Sequence, residues 1–234
     1  MEAPIPLDSP LWSRLYGPYG VNDVPAILAQ LQAHWDIAVA TDLFWEKLHH
    51  QETLYPVTYA ALPWIWKLRP KSGDEALKTL QFLSWAIYCA LRNSTGVANA
   101  SDLHLVGLSQ DLRDHQHTWL KPDERLRSED MAALADLKVD FLTTMSTICV
   151  ACEVAASDTN DSDAAYLLVG PSMSKGAPGL AFAMTLFADG EDFDAIDEEA
   201  PAADDPSSIA ADIAATLGPK ASALRDFLLR RATE

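Results

Sequence analysis

A polar link between two predicted helices has side chains that can bind a small ligand or a partner peptide. Its candidate binding residues are His50, Gln51, Thr53, Tyr55 and Tyr59. The alternative is a structural role, in which Thr53 caps the following helix while His50 and Gln51 bond free carbonyl groups of the preceding one. Helix ends leave such groups without partners, so the structural role is the favoured interpretation.

A second group of polar residues has the types that bind a divalent metal. His115-x-His117 lies close to His104, Asp111 and Asp114. This spacing does not enforce the convergent geometry that a metal site needs, and no His-Glu-x-x-His motif occurs. A solvated polar loop is favoured, so we predict no metal and no cofactor, with His115 and His117 as weak candidates.

Cysteine chemistry is a third possibility, because Cys149-x-x-Cys152 has the spacing of a redox or metal half-site. The pair falls inside an apolar helical pattern, and Cys89 leaves an odd total. The sequence therefore indicates small core residues with reduced thiols, as in a cytosol. Residues 1–10 have no signal-peptide pattern, which also favours a cytoplasmic location.

No motif in the sequence assigns a catalytic residue. There is no glycine-rich phosphate loop and no Gly-x-Ser-x-Gly elbow. The net charge of −17 disfavours nucleic acid and anionic membrane surfaces as partners and favours a basic protein. The segment 189–205 has nine acidic residues and no basic one, and is predicted as an acidic loop. It could also mimic nucleic acid, although a solvating linker is favoured.

Apolar spacings of three and four residues predict that helices position these side chains. Pro56 begins a helix that is apolar on most sides, which is typical of a helix between neighbours. Residues 164–188 read as helix, although two short apolar runs there can also be read as strands. A C-terminal helical hairpin is predicted at 206–232. The remaining predicted helices cover residues 26–34, 39–49, 72–92, 109–120 and 129–156.

Successive helices with short links predict an all-α fold, an α-α superhelix of stacked helical hairpins like HEAT and armadillo repeats. We expect one domain over residues 1–234. The longest clean apolar run, residues 85–91, is too short to cross a membrane.

The segment 43–68 resembles a group of bacterial HEAT-like helical-repeat proteins, which have a tryptophan helix, a His-Gln-x-Thr-x-Tyr link and a Tyr-Ala-Ala-x-Pro helix. The resemblance covers about the first 70 residues. It implies an α-α superhelix and brings no agreed activity. The matching positions are Trp45, Leu48, His50, Gln51, Thr53, Tyr55, Tyr59, Ala60, Ala61 and Pro63.

These features together predict a non-enzymatic protein-binding module, either a helical-repeat adaptor or an immunity-type inhibitor of a basic partner. The alternative is a small-molecule-binding protein or an enzyme with an aromatic-lined pocket around Trp45, Tyr55, Tyr59 and Trp64. The sequence does not predict the oligomeric state.

Overall fold

The computed structural model describes residues 5–50, 52–92, 120–199 and 207–233, and these residues are mostly helical. The prediction of an all-α protein is therefore confirmed. The α-helices are α1 (Val24–Ala33), α2 (Ile37–Asp42), α3 (Pro56–Leu68), α4 (Asp74–Arg92), α5 (Asp130–Ala156), α6 (Asp161–Ser174), α7 (Pro178–Asp189), α8 (Phe193–Glu199), α9 (Ser207–Thr216) and α10 (Ser222–Arg231). Short 3-10 helices cover Pro10–Arg14, Pro122–Glu124 and Pro219–Ala221, and a π-helical segment covers Leu43–Leu48.

The strands within the described residues form two small antiparallel hairpins. Strand β1 (Tyr16–Gly17) pairs with β2 (Gly20–Val21), and β3 (His49–His50) pairs with β4 (Thr53–Leu54). Each strand has two residues, so these hairpins act as connections between helices.

The chain divides into two compact units, each made of two separate stretches of sequence. The first unit contains Met1–Ala76 and Leu103–Met145, and the second contains Leu77–Asp102 and Ser146–Glu234. The prediction of a single domain over residues 1–234 stays a prediction. The predicted short helix at 109–120 lies almost wholly outside the described residues.

Helix α3 is the centre of the first unit. Every residue from Pro56 to Trp66 is buried, which confirms that this helix is covered on most sides. Tyr59 packs edge-on against Phe141 of helix α5, with ring centroids 5.3 Å apart. Aromatic side chains therefore form part of the core of this unit.

Helices α6 and α7 form an antiparallel hairpin in the second unit, so the helical interpretation of residues 164–188 is correct. The Asn160 side chain caps α6 by accepting a bond from the Asp163 N–H at 3.0 Å. Gly190 ends α7 with a φ of 88°, which glycine adopts without strain. The predicted C-terminal hairpin corresponds to α9 and α10.

The acidic segment 189–205 is not wholly a loop, because it contains helix α8. Phe193 at the start of α8 stacks on Phe227 of α10, with ring centroids 5.7 Å apart. Arg230 of α10 also pairs with Asp197 of α8 at 3.2 Å. Aromatic contacts and ion pairs with neighbouring helices thus stabilise a helix in a stretch whose charge alone predicts a loop. Residues 200–206 lie outside the described part of the chain.

The three cysteines are buried in the second unit as free thiols. The Cys152 thiol lies 3.6 Å from the Leu80 carbonyl oxygen, and the Cys149 thiol lies 3.5 Å from the Ser174 hydroxyl. Their prediction as small core residues is confirmed.

Helix α5 contains one stretch, Ala132–Ala156, that is long and apolar enough to cross a membrane, with a mean hydropathy of 1.5. A single helix of this kind is weak evidence, because the core helix of a soluble protein passes the same test. Leu134, Leu137, Phe141 and Ile148 of this stretch are buried in the protein. This stretch is longer than residues 85–91, which the sequence analysis gives as the longest apolar run.

Candidate binding surface on the two hairpins

The predicted polar link folds into the hairpin of β3 and β4. His50 pairs with Thr53 across the two strands, and Glu52 makes the turn with a φ of 62°. This left-handed backbone conformation is uncommon for a residue with a side chain and occurs mostly in tight turns. Gln51 lies outside the described residues.

The residue that ties this hairpin to helix α3 is Thr58, so the prediction that Thr53 caps the helix is wrong. Thr58 Oγ1 accepts a hydrogen bond from the Tyr55 N–H at 3.1 Å. The same hydroxyl donates to the Leu48 carbonyl at the end of the π-helical segment. One buried side chain therefore bonds to one backbone group at each of the two helix ends that flank the hairpin.

The second hairpin, β1 and β2, lies beside the first. A Cβ atom at Gly17 would lie 2.4 Å from the Lys47 carbonyl oxygen, so only glycine fits this close approach. Tyr19, in the turn between β1 and β2, packs edge-on against His50 with ring centroids 5.7 Å apart. The two hairpins thus bring together aromatic residues that are distant in sequence.

We call the surface that they form the hairpin patch, and define it by Tyr19, Trp45, His49, His50 and Tyr55. Tyr19 is 65% exposed and Trp45 is 44% exposed, so two aromatic side chains of the patch reach solvent. Trp45 packs edge-on against His49 at 4.9 Å. Each exposed ring is therefore held in position by an imidazole, and the patch is ordered before any partner binds.

Burial controls the protonation of two members of the patch. Desolvation lowers the pKa of His49 and outweighs the carbonyl of Phe44, which acts in the opposite direction. Burial also raises the pKa of the Tyr55 phenol. Both shifts favour the uncharged form of the side chain.

Two residues of the predicted aromatic pocket belong to the core. Tyr59 and Trp64 are buried, and the Trp64 indole N–H donates to the Ile5 carbonyl at 2.9 Å. Trp45 and Tyr55 belong to the hairpin patch. The predicted pocket residues are therefore divided between surface and interior, and Tyr59 is not placed to contact a ligand at the hairpins.

A cleft of about 440 Å³ lies elsewhere in the first unit, between the N-terminal segment and helix α5. Sequence reasoning missed it, because its two sides are more than 120 residues apart. Its lining residues are Ile5, Pro6, Ser9, Leu11, Ala133, Asp136, Leu137 and Asp140.

Within the described residues, no group of three or more His, Cys, Asp or Glu side chains is arranged to hold a metal ion. His115 and His117 lie outside that part of the chain, so their weak candidacy stays a prediction.

No protein-family model, curated protein or solved structure matches this chain. The resemblance to HEAT-like helical-repeat proteins therefore stays a prediction.

Proposed function

We propose that this protein binds a basic protein partner through the hairpin patch and has no catalytic activity of its own. The observation that carries the proposal is the pair of exposed aromatic side chains, Tyr19 and Trp45, each packed on a histidine. Tryptophan and tyrosine are enriched among the residues that contribute most to protein–protein binding. Rings that are already ordered also lose little conformational entropy on association.

Charge supports the choice of a basic partner. The chain has a net charge of −17, and the exposed Glu46 lies close enough to the patch to act on the His49 imidazole. An acidic surface around an aromatic centre attracts a positively charged protein and repels phosphate backbones. We therefore propose that neither nucleic acid nor a membrane is a partner. We also propose that this protein is soluble and cytoplasmic.

Stacked helical hairpins in an α-α superhelix are the architecture that we propose for this role, either as an adaptor or as an immunity-type inhibitor. Helical repeats offer extended surfaces to other proteins. The alternative of a small-molecule pocket around Trp45, Tyr55, Tyr59 and Trp64 is disfavoured, because Tyr59 and Trp64 are core residues.

The test is a comparative capture experiment from native lysate at low salt. The immobilised protein is compared with a Tyr19→Ser/Trp45→Ser variant and with a control, Asp212→Asn/Asp226→Asn, whose exposed side chains lie in helices α9 and α10. A basic protein should be retained by the unaltered chain and the control and lost by the patch variant. With the partner purified, the loss of Trp45 should weaken binding about 30-fold, which corresponds to about 2 kcal/mol.

Salt provides an independent criterion. The dissociation constant for a basic partner should rise between about 50 and 500 mM salt, as the Debye length shortens. Recovery of no partner at low salt, or a partner that the patch variant retains as well as the control does, would refute the proposal.

A further inference from the structure

A groove in the second unit is formed by helices α7 and α10, and helix α8 occupies it. The Phe193 ring of α8 packs against Phe187 of α7 and Phe227 of α10, with ring centroids 6.2 and 5.7 Å away. Ile196, three residues further along α8, is fully buried. The groove therefore already holds the apolar face of a helix.

Two arginines of helix α10 contact the acidic side of the same helix. The Arg230 guanidinium lies 4.6 Å from the centroid of the Phe193 ring. Arg230 and Arg231 also lie 3.2 and 3.7 Å from the carboxylate oxygens of Asp197. Residues four apart share one face of a helix, so these contacts favour an aromatic ring followed by a carboxylate four positions later. We call this site the α8 groove and define it by Phe187, Phe227, Arg230 and Arg231.

Helix α8 is a weak occupant of this groove. It has seven residues, which is shorter than a helix that is stable alone. Its last turn contains Asp197, Glu198 and Glu199, whose negative charges oppose the helix dipole. Asp197 Oδ1 and Arg230 Nη2 are buried and make no hydrogen bond within the described residues. Few contacts and unmet hydrogen bonds favour local opening of α8.

We propose that the α8 groove is a docking site for an acidic amphipathic helix of another protein, and that α8 covers it as a built-in competitor. The incoming helix places an aromatic ring against Phe187 and Phe227, and a carboxylate four residues later against the two arginines. A second copy of this chain is the less suitable occupant, because each copy carries a net charge of −17 and two copies repel each other. The groove lies in the second unit and the hairpin patch in the first, so either proposal can fail without the other.

The probe is a fluorescein-labelled synthetic peptide with the sequence of residues 190–200, added to the whole chain. In a Phe193→Ser/Asp197→Asn variant, the chain's own α8 loses its contacts and the groove becomes accessible. Fluorescence anisotropy should give a dissociation constant on the order of 100 μM for this opened variant, because the peptide must fold as it binds. The unaltered chain should bind at least about tenfold more weakly, since α8 leaves the groove open in no more than about a tenth of the molecules.

Matched controls separate recognition of the helix from general charge. A peptide that carries Phe193→Ser and Asp197→Asn itself should not bind the opened variant. Asp212→Asn makes the same change in net charge at an exposed position of α9, and should bind the peptide as weakly as the unaltered chain does. Arg230→Gln added to the opened variant should weaken peptide binding about tenfold, because an ion pair and a cation–ring contact are lost.

Should the opened variant fail to fold, the unaltered chain still decides. Unlabelled peptide added to ¹⁵N-labelled protein should move the amide signals of residues 193–199 towards random-coil positions, as α8 is displaced. Signals that stay in place at millimolar peptide, or an opened variant that binds no more tightly than Asp212→Asn, would overturn the proposal. A dimer of the unaltered chain in light scattering that Phe193→Ser/Asp197→Asn abolishes would overturn it too, because the groove would then belong to a second copy.

Discussion

The ion pair between Arg14 and Asp130 should contribute strongly to the stability of the first unit. Arg14 Nε and Nη2 donate to the two carboxylate oxygens of Asp130 at 2.8 and 2.6 Å, and the Arg127 N–H donates to the same carboxylate at 2.7 Å. Side-chain exposure is 11% for Arg14 and 4% for Asp130. The two-point geometry joins the N-terminal 3-10 helix to the start of α5.

We expect Asp130→Asn to lower the free energy of unfolding by about 3 kcal/mol at pH 7. Removing one partner of a buried pair costs about 3–5 kcal/mol, because the other charge stays buried without compensation. The lower end applies here, because the substituted amide keeps an oxygen that can accept the Arg127 N–H. With a urea dependence of about 2 kcal/mol/M, the unfolding midpoint should fall by about 1.5 M.

The effect should also depend on pH in a defined direction. The hydrogen bond from Arg14 holds the pKa of Asp130 below its ordinary value of 3.8. A lowered folded pKa gives stability that is present above the unfolded pKa and is lost as pH falls through the folded value. The difference between the unaltered protein and Asp130→Asn should therefore be constant from pH 7 to about 5 and shrink below about pH 4.

Urea unfolding followed by tryptophan fluorescence measures this change, because five of the seven tryptophans are described residues of the first unit. Glu129→Gln is the control. The Glu129 side chain is next to Asp130 in sequence but is exposed, so loss of its charge should leave the unfolding midpoint unaltered. A change below about 0.5 kcal/mol for Asp130→Asn, or a double-mutant cycle with Arg14→Met that finds no coupling, would refute the reasoning.

Three further predictions concern packing and protonation. Gly170→Ala should lower the free energy of unfolding by about 1–2 kcal/mol, because the added Cβ would lie 2.5 Å from the Ser84 carbonyl oxygen. Thermal denaturation measures this change, and an unchanged midpoint would contradict the close packing. The imidazole of His49 should titrate below pH 6.5 in a ¹H NMR experiment, because burial lowers its pKa. Stability should therefore fall as the pH drops from 6.5 through the lowered pKa. A titration midpoint of His49 at or above 6.5 would show that burial does not dominate. The cysteines should react with Ellman's reagent at about pH 7.4 only after unfolding, since all three are buried and burial raises the pKa of Cys149. Rapid labelling of the native protein would contradict the prediction that they are core residues.

Local signals in the sequence predict some elements to the residue and miss others. Helix α3 begins at Pro56 and ends before Pro70, because proline fixes both boundaries. The helix predicted over residues 39–49 is instead α2 followed by a π-helical segment and strand β3. No residue pattern marks the change from one helical bonding scheme to another, so the apolar spacing misses it.

Candidate site residues are predicted only where neighbours in sequence form the site. His50 and Tyr55 lie on the hairpin patch as members of one short link. Tyr19 reaches the same surface from a turn about thirty residues earlier, and its contact with His50 depends on the close approach of Gly17 to the Lys47 carbonyl. The cleft beside helix α5 likewise exists only because the N-terminal segment lies next to that helix. Contacts between distant segments have no local sequence signal.

The interleaving of the two units in the sequence has a consequence for biosynthesis. The first unit needs residues up to Met145, and residues 77–102 of the second unit are made before it can close. Arg14 precedes its partner Asp130 by 116 residues, so the N-terminal segment leaves the ribosome before the helix that it pairs with has been synthesised. Closing so long a loop costs entropy before any contact is gained, which slows folding. Dissection of the protein into fragments at any single bond between residues 77 and 145 would separate parts of the same core.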